Sequence, residues 1–206
     1  MCTQFTPLNY QEAQAVVDAF NAKQSIFLQK YEDWNTEVDV FPGKSATIFL
    51  PDPSGGLTLT TAHWGFKLDS NNKLYFNTRI ETAIQQHSSG RGMWAKAIRQ
   101  GRCLVPARAF YERHKTDVYF DEETGKQKSY QYRIQLEGSK AFLMAGIFQD
   151  GVFSVITTPP NGYMASIHDR MPLVLGKGES SIWLGSDFAS LIDRSHILLV
   201  AKSVSE

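Results

Sequence analysis

A cysteine stands directly after the initiator methionine, at position 2. If Met1 is removed, Cys2 carries a free α-amine and a thiol on adjacent carbons, which titrate near about 7.7–8.0 and about 8.5. Such an aminothiol captures an aldehyde, because the amine condenses to an imine and the thiolate then closes a thiazolidine ring. A small unreactive residue at a frayed terminus is the alternative, and position alone leaves both interpretations open.

Polar residues recur at a spacing of two between residues 76 and 82. Strand side chains alternate between faces, so Asn77 and Arg79 are expected to project from the same side. An asparagine amide can orient a reacting group, and an arginine fork matches a phosphate. Thr157, at the end of another apolar stretch, offers a hydroxyl for a phosphate. Structural hydrogen bonds and β propensity are the alternative roles of these residues.

Two titratable residues lie in apolar or ion-pairing surroundings. Glu112 follows an aromatic pair, and such surroundings raise a carboxyl pKa toward the range useful for proton transfer. A surface position on an alternating strand fits Glu112 equally well. His168 stands beside Asp169 and Arg170 and can act as an acid or a base near neutral pH. The same three residues also make ordinary salt-bridged turns.

The elements that must position these residues are mostly short β-prone segments between turn residues. Helices are predicted over Tyr10–Lys23, where Asn9 and Glu12 fit a capping box, and over Glu81–Gln100 with an interruption near residues 88–92. Strands are predicted at residues 46–50, 57–66, 73–77, 102–106, 109–114, 118–119, 129–136, 141–148, 152–158 and 197–201. Further predictions are a turn at 69–72, aromatic packing by Phe27, Tyr31 and Trp34, and short helices near 179–184 and 187–193. Together they indicate an α+β fold: a single domain over residues 1–206 with a curved antiparallel or barrel-like sheet and flanking short helices.

The composition is that of an ordinary globular protein, with 206 residues, 42% of them hydrophobic, and a net charge of zero. Seven basic residues against one acid lie between residues 91 and 115, as either a phosphate-binding patch or scattered solvated charges. Two cysteines and five histidines without ligand spacing predict no disulfide framework, metal or cofactor. No apolar run approaches the ~18 residues of a membrane span, and no secretory signal is recognisable. We therefore expect a cytoplasmic protein with no membrane partner.

The order of these motifs resembles the SOS response-associated peptidase (SRAP) family, whose members sense abasic sites in single-stranded DNA. The motifs are an N-terminal Met-Cys, Asn-x-Arg-x-Glu-Thr at 77–82, an aromatic-Glu pair at 111–112, and His-Asp-Arg-Met-Pro-Leu-Val-Leu at 168–175. The last motif is the most specific. The resemblance runs from Cys2 to about Leu175.

The resemblance implies that Cys2 condenses with the ring-opened aldehyde of an abasic deoxyribose and forms a thiazolidine DNA–protein crosslink. Asn77 would position the sugar and Cys2, Glu112 would transfer a proton near the α-amine, and His168 would serve as acid or base in sugar opening or ring closure. The implied partner is single-stranded DNA with abasic sites, bound by a monomer that associates with the nucleoid when it acts. The residues implied to bind DNA are Arg79 and Thr157, with Arg113 and Arg170 as further candidates and a structural ion pair as the alternative for Arg170.

The chain departs from the family pattern around the reacting residues. Thr3-Gln4 replaces the usual Gly-Arg, which removes one phosphate-binding arginine, and Arg113 replaces the usual tryptophan. The segment 65–77 is short and lacks a tryptophan-bearing loop, so stacking worth roughly 1–3 kcal/mol per base would be lost. The alternatives are a cysteine-dependent hydrolase or self-processing peptidase that releases Met1, with lyase activity also open, and a non-catalytic DNA-binding relative.

Overall fold

Thirteen strands and four α-helices make up the described part of the chain, residues 2–23, 38–68 and 71–204 of the computed structural model, with only the backbone described at 71 and 72. The strands are β1 Gln4–Pro7, β2 Ser45–Pro51, β3 Leu57–Trp64, β4 Phe66–Leu68, β5 Asn71–Tyr75, β6 Asn77–Arg79, β7 Arg102–Asp121, β8 Lys126–Leu136, β9 Phe142–Gln149, β10 Val152–Thr158, β11 Met171–Pro172, β12 Val174–Leu175 and β13 Leu199–Ser203. The helices are α1 Tyr10–Asn21, α2 Ile80–Ser89, α3 Ala95–Gln100 and α4 Glu179–Leu184, with 3-10 turns at Met164–Ser166 and Phe188–Ile192.

Five of the strands close a barrel. β7 pairs with β9, β9 with β10, β10 with β3 and β3 with β2, and β2 returns to β7. The pairs are antiparallel except β10–β3, and β6 also lies parallel to β10. The expected α+β fold with a curved, barrel-like sheet is confirmed, with parallel pairing at β10 as the refinement.

Alternation along the strands divides the core into an inner and an outer layer. Cys103 and Val105 of β7 point into the barrel and share a buried cluster with Trp64. Leu104, between them, belongs to the outer cluster, which packs against the helices and includes Val16 of α1. Helix α1 begins where predicted, because Asn9 and Glu12 form the reciprocal hydrogen bonds of a capping box. The helices therefore cover the barrel wall and leave its strand ends for other uses.

Strand β7 corrects the prediction of two separate strands at 102–106 and 109–114. The predicted break lay at residues 107 and 108, directly after Pro106, which has no amide hydrogen to donate to a ladder. In the structure β7 pairs with β9 over Arg102–Ala107 and with β8 from Phe110 onward. Pro106 thus lies where the strand changes partners, so it does not end the strand.

Two other predictions fall at the gaps in the description. β5 begins at Asn71, so the turn predicted at 69–72 is wrong for its last two residues, while residues 69 and 70 lie outside the described ranges. The predicted aromatic packing of Phe27, Tyr31 and Trp34 also lies outside them. No helix within the described ranges has the length and apolar character needed to cross a membrane.

Candidate active site

The N-terminal strand β1 brings the start of the chain against β7. Its antiparallel register pairs Gln4 with Tyr111, so the residues before Gln4 run alongside Glu112. Cys2 is fully buried, and its Sγ donates to the main-chain oxygen of Gln4 at 3.5 Å. The main-chain oxygen of Cys2 accepts a 2.7 Å hydrogen bond from Nδ2 of Asn77. Gln4 of β1 and Asn77, which lie far apart in sequence, therefore both bind Cys2, the predicted nucleophile.

Asn77 reaches Cys2 from the first position of β6. This strand lies parallel to β10, with Asn77 opposite Val155. Thr78 turns the other way, and its hydroxyl lies 2.9 Å from that of Ser154 in the interior. The Oδ1 atom of Asn77 is buried and has no hydrogen-bond partner among the described residues. The site therefore presents an unused acceptor beside the nucleophile.

Glu112 is a buried carboxyl group whose pKa lies near neutrality. It is 3% exposed, and burial raises its pKa to about 7, against 4.5 for an ordinary glutamate. The pKa of the Cys2 thiol is also raised, first by burial and then by the nearby negative charge of Glu112. At neutral pH Glu112 exchanges a proton readily, and the Cys2 thiol keeps its proton.

His168 faces the same carboxyl group across a short gap. Its Nε2 lies 3.8 Å from Oε2 of Glu112, and its side chain is 25% exposed. The main-chain N–H of Arg170 donates to Nδ1 at 3.1 Å, so the neutral ring carries its proton on Nε2. Partial burial lowers the pKa of His168. The ring is therefore neutral near pH 7 and presents an N–H to Glu112.

Arg170 and Thr157 form one network with a third residue. The Arg170 guanidinium holds both oxygens of Glu81, at 2.6 and 2.9 Å, and donates to the main-chain oxygen of Thr157 at 2.7 Å. The pair with Arg170 holds the pKa of Glu81 below its usual value. Thr157 is fully buried. The structure thus contains the structural ion pair considered for Arg170, and a phosphate contact by Arg170 or Thr157 stays a prediction.

The other two predicted DNA-binding residues are exposed on different elements. Arg79 lies opposite Thr157 in the parallel β6–β10 pair, immediately before α2. Arg113 follows Glu112 on β7 and pairs with Gln131 of β8. Arg79, Thr157 and Arg170 therefore meet at one strand end, whereas Arg113 adjoins the buried carboxyl group from another side.

The basic stretch at 91–115 does not act as one patch, because three of its arginines bind protein groups. Arg99 donates to the main-chain oxygen of His87. Arg102 donates to main-chain oxygens at the ends of α3 and α4. Arg108 forms an ion pair with the buried Glu12. These basic residues are therefore better described as scattered charges than as a single phosphate-binding patch.

Two carboxylates near the site were missed in the sequence. Glu81 lies inside the motif at 77–82, and its position there was the available signal. Asp39 binds the side chains of Gln4 and Thr6 on β1, each at 2.6 Å. No local pattern connects residues that are 33 and 35 positions apart. Within the described ranges, no three His, Cys, Asp or Glu side chains group as metal ligands would.

Comparison with known proteins gives consistent matches over nearly the whole chain. A family model described as SOS response associated peptidase (SRAP) matches residues 1–204. The abasic site processing protein YoaM of Bacillus subtilis (strain 168) is 28% identical over 198 residues, which cover 89% of this chain and 79% of that protein. The abasic site processing protein YoqW of Bacillus phage SPbeta is also 28% identical over 198 residues, covering 89% and 80%.

Solved structures share the fold. A protein from Bacteroides thetaiotaomicron superposes with a TM-score of 0.70 at 21% identity, covering 99% of this chain and 92% of that one. A phage-related protein from Bordetella bronchiseptica has a TM-score of 0.70 at 19% identity, covering 100% and 95%. At these identities the likeness concerns the fold alone.

Proposed function

Because this chain belongs to the SOS response-associated peptidase family, we propose that it processes abasic sites in DNA by forming a covalent crosslink through Cys2. The observation that carries the proposal is the meeting of Cys2 with the buried carboxyl group of Glu112 and the neutral ring of His168. The names of relatives such as YoaM, an abasic site processing protein, support the choice of substrate. Single-stranded DNA is the proposed form of that substrate.

The first step is attack by the α-amine, which exists on Cys2 only after Met1 has been removed. The amine nitrogen of Cys2 attacks the aldehyde carbon of the ring-opened deoxyribose and loses a proton to the Glu112 carboxylate. The resulting carbinolamine expels its hydroxyl group as water, with the proton returned by the Glu112 carboxyl group, and leaves an imine, while the neutral His168 ring faces that carboxyl group through Nε2–H. A carboxyl group with a pKa of about 7 suits both directions of this transfer.

Ring closure follows and completes the crosslink. The Cys2 sulfur adds to the imine carbon, and its proton passes to the imine nitrogen through Glu112, so the overall reaction releases one water. Burial raises the pKa of this thiol, so the sulfur enters as a thiol that loses its proton during the addition. Asn77 holds the main-chain oxygen of Cys2, and its unused Oδ1 accepts a hydrogen bond from the amine or a sugar hydroxyl.

The raised thiol pKa also bears on the rival activities. A self-processing peptidase would need a Cys2 thiolate, which burial disfavours, whereas aldehyde capture begins with the amine. Lyase activity would require the imine to eliminate and cut the strand before the ring closes. Crosslinking is therefore favoured over self-processing, and the length of the DNA after reaction distinguishes it from lyase activity.

The test mixes purified protein with single-stranded DNA that carries one abasic site, beside the same strand without the lesion and the lesion in a duplex. Intact-mass analysis first confirms that Met1 is absent. We expect a covalent shift on a denaturing gel with the single-stranded lesion, its loss in Cys2→Ala, and its retention in Cys103→Ala, because Cys103 lies inside the barrel. A crosslink that survives Cys2→Ala would overturn the proposal, and shortened DNA without a shift would favour the lyase.

A further inference from the structure

Strand β1, which begins two residues after Cys2, is only four residues long, and so short a strand frays readily unless it is tied down. Two backbone partners oppose fraying. β7 pairs with it on one side. On the other side Phe5 and Val40 exchange two main-chain hydrogen bonds of 3.2 and 2.8 Å. Among the described residues, Val40 alone pairs with β1 on that side, so side chains are the other described source of support.

That support comes from Asp39, the residue before Val40. Its Oδ2 accepts a hydrogen bond from Nε2 of Gln4 and its Oδ1 accepts one from the hydroxyl of Thr6, both at 2.6 Å. Gln4 and Thr6 are two positions apart, so both side chains project from one face of β1. Each oxygen of one carboxylate thus holds one side chain of the strand, through charge-assisted bonds, which are stronger than neutral ones.

The same face of β1 is held from the β7–β8 side. Nε2 of Gln131 donates to Oε1 of Gln4 at 2.8 Å, and the hydroxyls of Tyr111 and Thr6 lie 3.2 Å apart. The Gln4 amide is therefore engaged at both its nitrogen and its oxygen. Gln4 stands where the family resemblance places a phosphate-binding arginine, and here its side chain binds the protein instead.

We infer that Asp39 is a positioning residue, which fixes β1 through Gln4 and Thr6 and thereby sets the place of the Cys2 amine and thiol. The described contacts of Asp39 go to Gln4 and Thr6, so the role assigned to it is to hold β1 in place. The inference rests on the proposed function for its effect on rate, because misplacing a nucleophile slows the reaction. Its effect on the order of the terminus is independent of that function.

The first measurement needs no DNA. Wild type, Asp39→Asn and Thr6→Val are alkylated with iodoacetamide, and the modification of Cys2 and Cys103 is followed separately by peptide mass. Cys2 and Cys103 are both fully buried, so Cys103 reports global unfolding and Cys2 reports opening of β1. We expect Cys2 labelling in Asp39→Asn at least about fivefold faster, since labelling of a buried thiol follows local opening. Thr6→Val should show a smaller change in the same direction.

The second measurement is the single-turnover crosslinking rate of the processed protein as a function of abasic-DNA concentration. In Asp39→Asn we expect a maximal rate about tenfold lower, with a half-saturating DNA concentration within about twofold of wild type. The matched control is Asp150→Asn, in the exposed turn between β9 and β10. It should change neither measurement.

The outcomes separate the two proposals. Cys2 labelling and maximal rate both unchanged in Asp39→Asn would overturn the positioning role, as would equal acceleration at Cys2 and Cys103, which would indicate loss of the whole fold. A higher half-saturating concentration with an unchanged maximal rate would place Asp39 in DNA binding and also overturn it. If wild type forms no crosslink while Asp39→Asn still exposes Cys2 selectively, the proposed function fails and the structural assignment of Asp39 stands.

Discussion

The residues proposed to react and the residues predicted to bind DNA are organised in different ways. Cys2, Asn77, Glu112 and His168 converge from four elements, with a 2.7 Å hydrogen bond at one end of the cluster and a 3.8 Å approach at the other. The residues predicted to bind DNA either project into solvent, as Arg79 and Arg113 do, or already have protein partners, as Arg170 and Thr157 do.

Under the proposed function, this difference implies that the residues of the chemical step are preorganised and that the contacts to DNA are not. Strand register and buried hydrogen bonds set the reacting groups in place before any substrate arrives. Long arginine side chains in solvent lose conformational freedom when they bind a phosphate, so each contributes little. Changes in the reacting cluster should therefore lower the maximal rate, and changes at the exposed arginines should raise the DNA concentration required.

The largest effect is expected for Glu112→Gln, which keeps the shape of the side chain and removes its titration. The maximal crosslinking rate should fall about 100-fold, as for loss of a general acid or base, with the half-saturating DNA concentration nearly unchanged. Single-turnover kinetics on a gel measure both quantities. If Glu112→Gln mainly raised the half-saturating DNA concentration, the proposed division between residues for chemistry and residues for DNA binding would be wrong.

The pH dependence of the same reaction sharpens this prediction. Burial raises the pKa of Glu112 to about 7, so its carboxylate form is lost as the pH falls below that value. The maximal rate of wild type should then fall about tenfold per pH unit below the pKa. The ratio of wild-type to Glu112→Gln rates should shrink over the same range. A constant ratio between about pH 5 and pH 8 would remove Glu112 from the proton transfer.

Glu112→Gln should change the free energy of unfolding in the opposite direction from the crosslinking rate. A carboxyl group with a folded-state pKa of about 7 and an ordinary pKa of 4.5 binds more protons in the folded state between these values. Its ionisation therefore destabilises the fold progressively from pH 4.5 to about 7 and fully above. Glu112→Gln should raise the free energy of unfolding by about 3 kcal/mol near pH 8 and show no gain in acid. Denaturant unfolding at both pH values tests this, and a destabilised variant near pH 8 would contradict it.

The smallest effects are expected at the exposed arginines. Arg113→Ala and Arg79→Ala should each raise the half-saturating DNA concentration about threefold. Each should also reduce the slope of log affinity against log salt concentration by about one, the contribution of one phosphate contact. Their maximal rates should match wild type. Binding measured by fluorescence anisotropy at several salt concentrations gives the slope, with the exposed Lys96→Ala as a comparison for general charge loss. A lower maximal rate in Arg113→Ala would indicate that Arg113 contributes to the chemical step and not only to DNA binding.

The parts of the fold that local chemistry specifies were predictable from the sequence. The capping box of Asn9 and Glu12 set the start of α1, and the motifs around Asn77, Glu112 and His168 indicated side chains that the structure brings close to Cys2 or to one another. What the sequence withheld depends on contacts between distant segments. Continuous β7 depends on a change of partners at Pro106, and the pair of Arg170 with Glu81 spans 89 positions. No pattern within a short window encodes either feature.

The burial of Cys2 under the first strand has a consequence for what would happen after the reaction. A linkage formed there would lie beside buried residues, and separation of β1 from β7 and Val40 would increase its exposure to water and proteases. The lifetime of the crosslink would then depend on how often β1 separates from its partners as well as on the intrinsic lifetime of a thiazolidine. Digestion elsewhere in the chain would trim the protein and leave its first residues on the DNA.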